Sequence, residues 1–180
     1  MIYHNAKLIF IHQRKCAGTS IIRSFGLKPA QPEWHFLNNG VLDPEFSLRP
    51  MDYRVFAVVR NPWDRFVSGW KYCEATKSLS LEEVLRNLPS EGHDYRHLTR
   101  PQHVTLFHAD GTPAFHDLLR FETLQQDFDA FCQRTGIPCR TLPRINVGNR
   151  GDYRTFFDAT TRRLFDLQYA RDAELFGYTF

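Results

Sequence analysis

Two segments constrain this 180-residue chain more than anything else in it: Ile9-Phe10-Ile11-His12-Gln13-Arg14-Lys15-Cys16-Ala17-Gly18-Thr19-Ser20-Ile21 and Val58-Val59-Arg60-Asn61-Pro62-Trp63-Asp64-Arg65-Phe66-Val67-Ser68-Gly69. Each runs from apolar residues through a polar turn into helical spacing. Each also sets cationic and hydroxyl side chains at a helix start, where backbone N–H groups hold phosphate. Two such places imply a ligand with two separate phosphate groups. Lys7 to Ile11 reads as the first strand, because consecutive apolar residues suit a strand covered on both faces of a parallel sheet.

The remaining pattern alternates. Thr19 to Phe25 reads as a helix, capped by Thr19 or Ser20, with Ile21, Ile22 and Phe25 as its buried face. Pro29 to Pro50 is loop-rich, with a turn at Asn38-Asn39-Gly40 and one short strand at Trp34 to Leu37. Val55 to Val59 is the second strand, and Pro62 opens a helix expected to reach Ala75. Leu81 to Leu88 follows as a short helix, then Val104 to Phe107 and Phe115 to Phe121 as strands. Leu124 to Arg134 is amphipathic and stops at Gly136. A final helix is capped by Asp158, with Phe165, Tyr169, Ala173 and Phe176 forming an apolar stripe for core packing. Alternating strands and helices predict an α/β fold of three layers around a mostly parallel sheet. Without repeats or low-complexity tracts, residues 1–180 are expected to form a single domain.

Composition narrows the function classes. With 42% apolar residues the chain can bury a real core, and Lys plus Arg exceed Asp plus Glu only by 23 to 20, which gives no footprint for nucleic acid. Cys16, Cys73, Cys132 and Cys139 show no CxxC pairing and are expected to be mostly reduced thiols. No apolar run is long enough to span a membrane, and a cytoplasmic location is expected. His93 and His97 stand at i, i+4 in His93-Asp94-Tyr95-Arg96-His97 without a third ligand, so no metal is expected.

Lys15 to Ser20 brings together a point charge, a glycine that admits backbone amides, and hydroxyl donors. A capped helix of no special function uses the same residues. Walker A chemistry requires lysine after its glycines, whereas Lys15 precedes Gly18, so a P-loop kinase or other ATP enzyme is the weaker reading. The first segment resembles the 5'-phosphosulfate loop of sulfotransferases, and the second resembles their 3'-phosphate segment. The resemblance continues through Leu118-Leu119-Arg120-Phe121-Glu122, Asp127-Phe128, Leu142-Pro143, Asn146 and Tyr153 to Asp172-Ala173-Glu174-Leu175-Phe176-Gly177-Tyr178. It is nearest to the compact, carbohydrate-type branch. It implies a P-loop-like fold and sulfuryl transfer from 3'-phosphoadenosine 5'-phosphosulfate (PAPS) to an acceptor hydroxyl or amine. The product is 3'-phosphoadenosine 5'-phosphate (PAP), and no metal is needed.

Carried over residue by residue, the resemblance places Lys15, Ala17, Gly18, Thr19 and Ser20 at the 5'-phosphosulfate, with Lys15 stabilising charge on the leaving group. Arg60 and Ser68 meet the 3'-phosphate. Arg150, in Val147-Gly148-Asn149-Arg150-Gly151-Asp152-Tyr153, either closes over the cofactor or sits in an exposed turn. Asp64 and Arg65 read as a surface or structural ion pair. The transfer needs a base, and a neutral imidazole suits that task; His35 is the candidate, Glu33 the next and His12 the third. Many relatives have proline before the loop lysine, whereas this chain has Gln13-Arg14, and neither Arg14 nor Cys16 is given a catalytic role. Trp63 and Trp70 read as core residues, with Trp34 left as a residue that can stack on a sugar. The acceptor is expected to be a small molecule or a glycan hydroxyl. A nucleotide-binding protein that no longer transfers sulfate is the main alternative.

Overall fold

The computed structural model describes residues 1–3, 6–25, 53–138, 140–143 and 151–180, the side chain of Arg96 excepted. In chain order the elements are β1 (Ile2–Tyr3), β2 (Leu8–Ile11), α1 (Gly18–Ser24), β3 (Arg54–Val59), α2 (Pro62–Trp70), α3 (Leu81–Arg86) and α4 (Gly92–Asp94). A π-helical turn (Tyr95–Thr99), α5 (His103–Leu106), β4 (Asp117–Arg120), α6 (Leu124–Thr135), a 3-10 turn (Tyr153–Phe156) and α7 (Ala159–Phe176) complete the order. Two compact units share the chain alternately: Met1–Val59 with Val104–Val147, and Arg60–His103 with Gly148–Phe180.

The first unit carries a four-stranded sheet in the order β1-β2-β3-β4, with β1 antiparallel to β2 and the other strands parallel. Phe10 lies opposite Phe56, and Val58 opposite Leu119. This register puts Leu8, Phe10, Phe56, Val58 and Leu119 into one cluster with Ile21 and Ile22 of α1 and Phe128, Phe131 and Cys132 of α6. The Phe56 ring stacks on Phe10 at 4.8 Å and meets Phe131 at 4.6 Å. Ile9, Val55, Ala57 and Val59, on the opposite face, are buried too. Both faces being covered explains why runs without polar alternation form strands here, and each buried Phe or Ile contributes about 1.5–3 kcal/mol. The mixed α/β class, with a mostly parallel sheet flanked by helices, is the one the alternation predicts.

One buried acid sits at the base of this sheet. Asp117 accepts from Arg54 at 2.5 Å and from Arg134 of α6 at 3.2 Å. Burial pushes its carboxyl up, but the two guanidinium hydrogen bonds outweigh this and hold it below the usual carboxylate range.

The second unit is helical. Trp63, Phe66, Val67 and Trp70 of α2 pack with Leu81, Val84 and Leu85 of α3 and with Phe165 and Tyr169 of α7. Pro62 opens α2, and the Asn61 side chain accepts from the Trp63 and Asp64 amides. The helix ends at Trp70, short of the expected Ala75. There the Thr76 hydroxyl donates to the Trp70 carbonyl at 3.0 Å, and the Trp70 indole donates to the Thr76 carbonyl at 2.9 Å. These side-chain bonds compete with further helix. Ser80 and Glu83 form a reciprocal cap on α3.

The strand expected at Val104 to Phe107 is instead helix α5, and Phe107 makes only an isolated bridge with Pro113. The cause is remote in sequence. Asp172 of α7 accepts from the Gln102 amide at 2.7 Å and the His103 amide at 2.9 Å, capping the start of α5 as an N-cap residue would. The strand expected within Phe115 to Phe121 is present as β4, and α6 ends at Gly136 with φ 71°. Helix α7 starts beneath Asp158 and buries Phe165, Tyr169 and Phe176 of the stripe read from the sequence, with Ala173 half-buried. The segment from Pro29 to Pro50, with its expected strand, lies outside the described residues, as does Cys139.

Candidate functional site

In the first unit, residues 12–17 carry the chain from β2 into α1. Two residues other than glycine there have left-handed backbone: Lys15 with φ 66° and Ala17 with φ 56°. That conformation costs an L-residue about 1–2 kcal/mol, so the loop's path is imposed by what surrounds it. Cys16, between the two, is fully buried, and its Sγ donates to the Arg14 carbonyl at 3.6 Å. Gln13 is buried as well, with its side-chain amide donating to the Thr105 hydroxyl. The His12 imidazole occupies the space that a Cβ on Gly18 would need, which explains glycine at the helix start.

Ala17, not Thr19 or Ser20, is the N-cap of α1, and no side chain caps it. The amides of Ser20 and Ile21 both bond to the Ala17 carbonyl, at 2.9 and 3.2 Å. Thr19 and Ser20 are therefore first-turn residues, and the amides that open the turn toward a ligand are those of Gly18 and Thr19. Lys15 and Thr19 are half-buried, while Gly18 and Ser20 are buried. A half-buried lysine beside the first amides of a helix is a donor set for an oxyanion.

In the second unit, Arg60 begins the turn into α2 and is only 6% exposed. Its guanidinium holds the Asp64 carboxylate, with Nε at 2.8 Å and Nη2 at 2.7 Å. The ion pair expected between Asp64 and Arg65 is thereby corrected, since neighbours in a helix point to different sides. Arg65 is 2% exposed and donates to the Arg100 carbonyl at 2.9 Å. Within α2 only Asp64 and Ser68 are not buried. Asp64 and Ser68 thus stand four apart on the one side of α2 that is not buried, and Arg60 reaches Asp64 from the turn before the helix.

Asn61, Tyr153, Gln102 and Asp172, none of which the sequence marked as a site residue, support this arm. The Asn61 amide donates to the Tyr153 hydroxyl at 3.1 Å, and burial pushes that phenol up. Gln102 bonds to both backbone groups of Arg60, and Asp172 holds Gln102 in turn. Gln102 has no local signature. Asp172 does have one, a carboxylate set among Phe165, Tyr169 and Phe176 on an apolar stripe.

His35, Glu33, Trp34, Asn146 and Arg150 lie outside the described residues. His12 is described and packs against Gly18. Trp63 and Trp70 are buried in the core of the second unit. The His97 Nδ1 lies 2.9 Å from the His93 carbonyl, and the two rings are 3.9 Å apart. Among the described residues no three His, Cys, Asp or Glu side chains gather as a metal site would need, and no helix is long and apolar enough to cross a membrane.

Comparison with curated proteins finds no match. Among solved structures, the crystal structure of a sulfotransferase from Alicyclobacillus acidocaldarius is 15% identical. The match covers 97% of this chain and 87% of that one, with a TM-score of 0.40. The sequence model of the sulfotransferase family matches residues 1–179, a span that takes in both phosphate-type segments. On that match the chain belongs to the sulfotransferase family.

Proposed function

We propose that this chain, acting as a single domain over residues 1–180, transfers a sulfuryl group from PAPS to a carbohydrate hydroxyl and releases PAP. The observation that carries the reading is the β2–α1 loop. Its left-handed Lys15 and Ala17 and its bare Gly18 hold a lysine and two amides in a conformation that no helix or strand requires. These donors fit a phosphosulfate. Family membership supports sulfuryl transfer in general, and the PAPS donor and glycan acceptor are inferred from it.

PAPS, when bound, supplies the sulfuryl group and a phosphate leaving group. Lys15 stabilises the negative charge that grows as the bond to sulfur breaks, and a fixed cation acts most strongly in the transition state. Ala17, Gly18, Thr19 and Ser20 surround the 5' group. Arg60 and Ser68 hold the 3'-phosphate, and Arg150 adds a further cation. His35 takes the acceptor's proton.

The test is titration of the purified protein with PAP and with ATP, for the parent and for Lys15→Ala, followed by turnover of PAPS with carbohydrate acceptors. The reading expects PAP to be preferred, the variant to bind it at least about tenfold more weakly, and a sulfate ester to form. A preference for ATP would point to a kinase-type enzyme, and PAP binding without transfer to any acceptor would point to a nucleotide-binding protein. His35→Ala is expected to stop turnover while leaving PAP affinity unchanged. Unaltered turnover would move the base to Glu33 or His12.

A further inference from the structure

The buried polar chain behind Arg60 lies wholly within the second unit. The Arg60 amide donates to Gln102 Oε1 at 3.0 Å, and Gln102 Nε2 donates back to the Arg60 carbonyl at 2.9 Å. One side chain thus satisfies both backbone groups of one residue, as a neighbouring strand would, at the point where β3 has ended and α2 has not begun. Gln102 is 0% exposed, so water does not compete for either bond.

Gln102 is itself fixed. Its amide donates to Asp172 Oδ2 at 2.7 Å, while Oδ1 lies 2.9 Å from the His103 amide and 2.6 Å from His103 Nδ1. Asp172 is also 0% exposed. A buried carboxylate is tolerated only when its lone pairs are met, and for stability alone an apolar residue in that stripe serves as well or better. What the carboxylate adds is a fixed position for residues 102 and 103. Arg60 is meanwhile held at its other end by Asp64 at 2.7 Å. Backbone and guanidinium are both set before any ligand arrives, which is the condition for a selective anion contact.

We propose that Gln102, anchored by Asp172, is a positioning residue for Arg60 and thereby sets the preference for a nucleotide bearing a 3'-phosphate. The inference rests on the reading that Arg60 meets that phosphate. It predicts a loss in discrimination, not a general loss of binding.

The experiment measures dissociation constants for PAP and for ADP, which lacks the 3'-phosphate, by calorimetry, with melting temperatures recorded alongside. The proteins are the parent, Gln102→Ala, the near-isosteric Gln102→Glu and Asp172→Asn. The PAP-to-ADP affinity ratio is expected to fall about tenfold in both Gln102 variants and about threefold in Asp172→Asn, with ADP affinity held within about twofold. If the parent prefers PAP and the variants melt earlier but keep its ratio, the network is structural only and the proposal is wrong. If the parent shows no preference for PAP over ADP, the assignment of Arg60 to a 3'-phosphate fails, and this inference falls with it. Should Gln102→Ala not fold, Gln102→Glu and Asp172→Asn decide the question by the same ratio.

Discussion

The two segments proposed to hold phosphate are shaped by opposite means. The β2–α1 loop is shaped by its backbone: left-handed Lys15 and Ala17, a buried Cys16, and a glycine whose missing Cβ leaves room for His12. The Arg60 to Ser68 segment is shaped by side chains: Asn61 caps the helix, Gln102 grips the backbone of Arg60, and Asp64 holds its guanidinium. The first presents amides and one lysine, and the second presents an arginine already paired. A strained loop should therefore fail when its backbone is altered, and a networked segment when a buried side chain is altered.

The largest effect is expected at Lys15. Replacing it with alanine removes the cation proposed to stabilise the leaving group, and PAPS turnover should drop about 10²–10³-fold while the melting temperature stays near the parent's, because the side chain is only half-buried. Initial rates with PAPS would show it.

Glycine substitutions separate the two regions next. In Gly18→Ala the new methyl meets the His12 ring, and in Gly69→Ala it comes within 2.6 Å of the His97 carbonyl. Each should lower stability by about 1–3 kcal/mol in urea unfolding. Only Gly18→Ala should also weaken nucleotide binding in proportion, because only that loop derives its donors from backbone placement. Equal losses of affinity would blur the contrast.

Ala17→Gly sharpens it in the other direction. Glycine relieves the left-handed alanine, so stability should rise by about 1 kcal/mol. The loop becomes less preorganised, and PAP affinity should fall. A variant that gains stability and keeps affinity would show that the strain has no part in binding.

The smallest effect concerns Asp117, away from both segments. Its folded carboxyl titrates below the unfolded value of about 3.9. A depressed value contributes stability that is present above the unfolded value and is lost as pH falls through the lower folded one. Since Arg54 and Arg134 are both about half exposed, Asp117→Asn should cost less than about 1 kcal/mol at pH 7, and the gap to the parent should close under acid in denaturant titrations across pH.

Much of the fold was legible because its signals are local. Continuous apolar runs marked β2 and β3, and Pro62, Gly136 and Asp158 marked helix ends through their own backbone and capping chemistry. What escaped was set from a distance or left no compositional trace. Helix α5 owes its start to a carboxylate 69 residues away, so Val104 to Phe107 read as a strand. A left-handed alanine looks like any alanine, so the cap of α1 fell two or three residues late, on Thr19 or Ser20. The partner of Asp64 was within reach, since i, i+4 spacing favours Arg60 over the adjacent Arg65. The donors of the β2–α1 loop could be named from their chemistry, and their proposed 5' role from the resemblance, but the Gln102–Asp172 support could not, because glutamine pairing with a backbone has no spacing rule.

The central claim is that the two segments serve two different phosphates of one donor. The most direct measurement compares PAP and ADP affinities in Lys15→Ala and Arg60→Ala by calorimetry. The account predicts that Lys15→Ala weakens both nucleotides by a similar factor, whereas Arg60→Ala abolishes the preference for PAP and leaves ADP unchanged. Retention of that preference in Arg60→Ala, or undiminished binding of both nucleotides in Lys15→Ala, would contradict it.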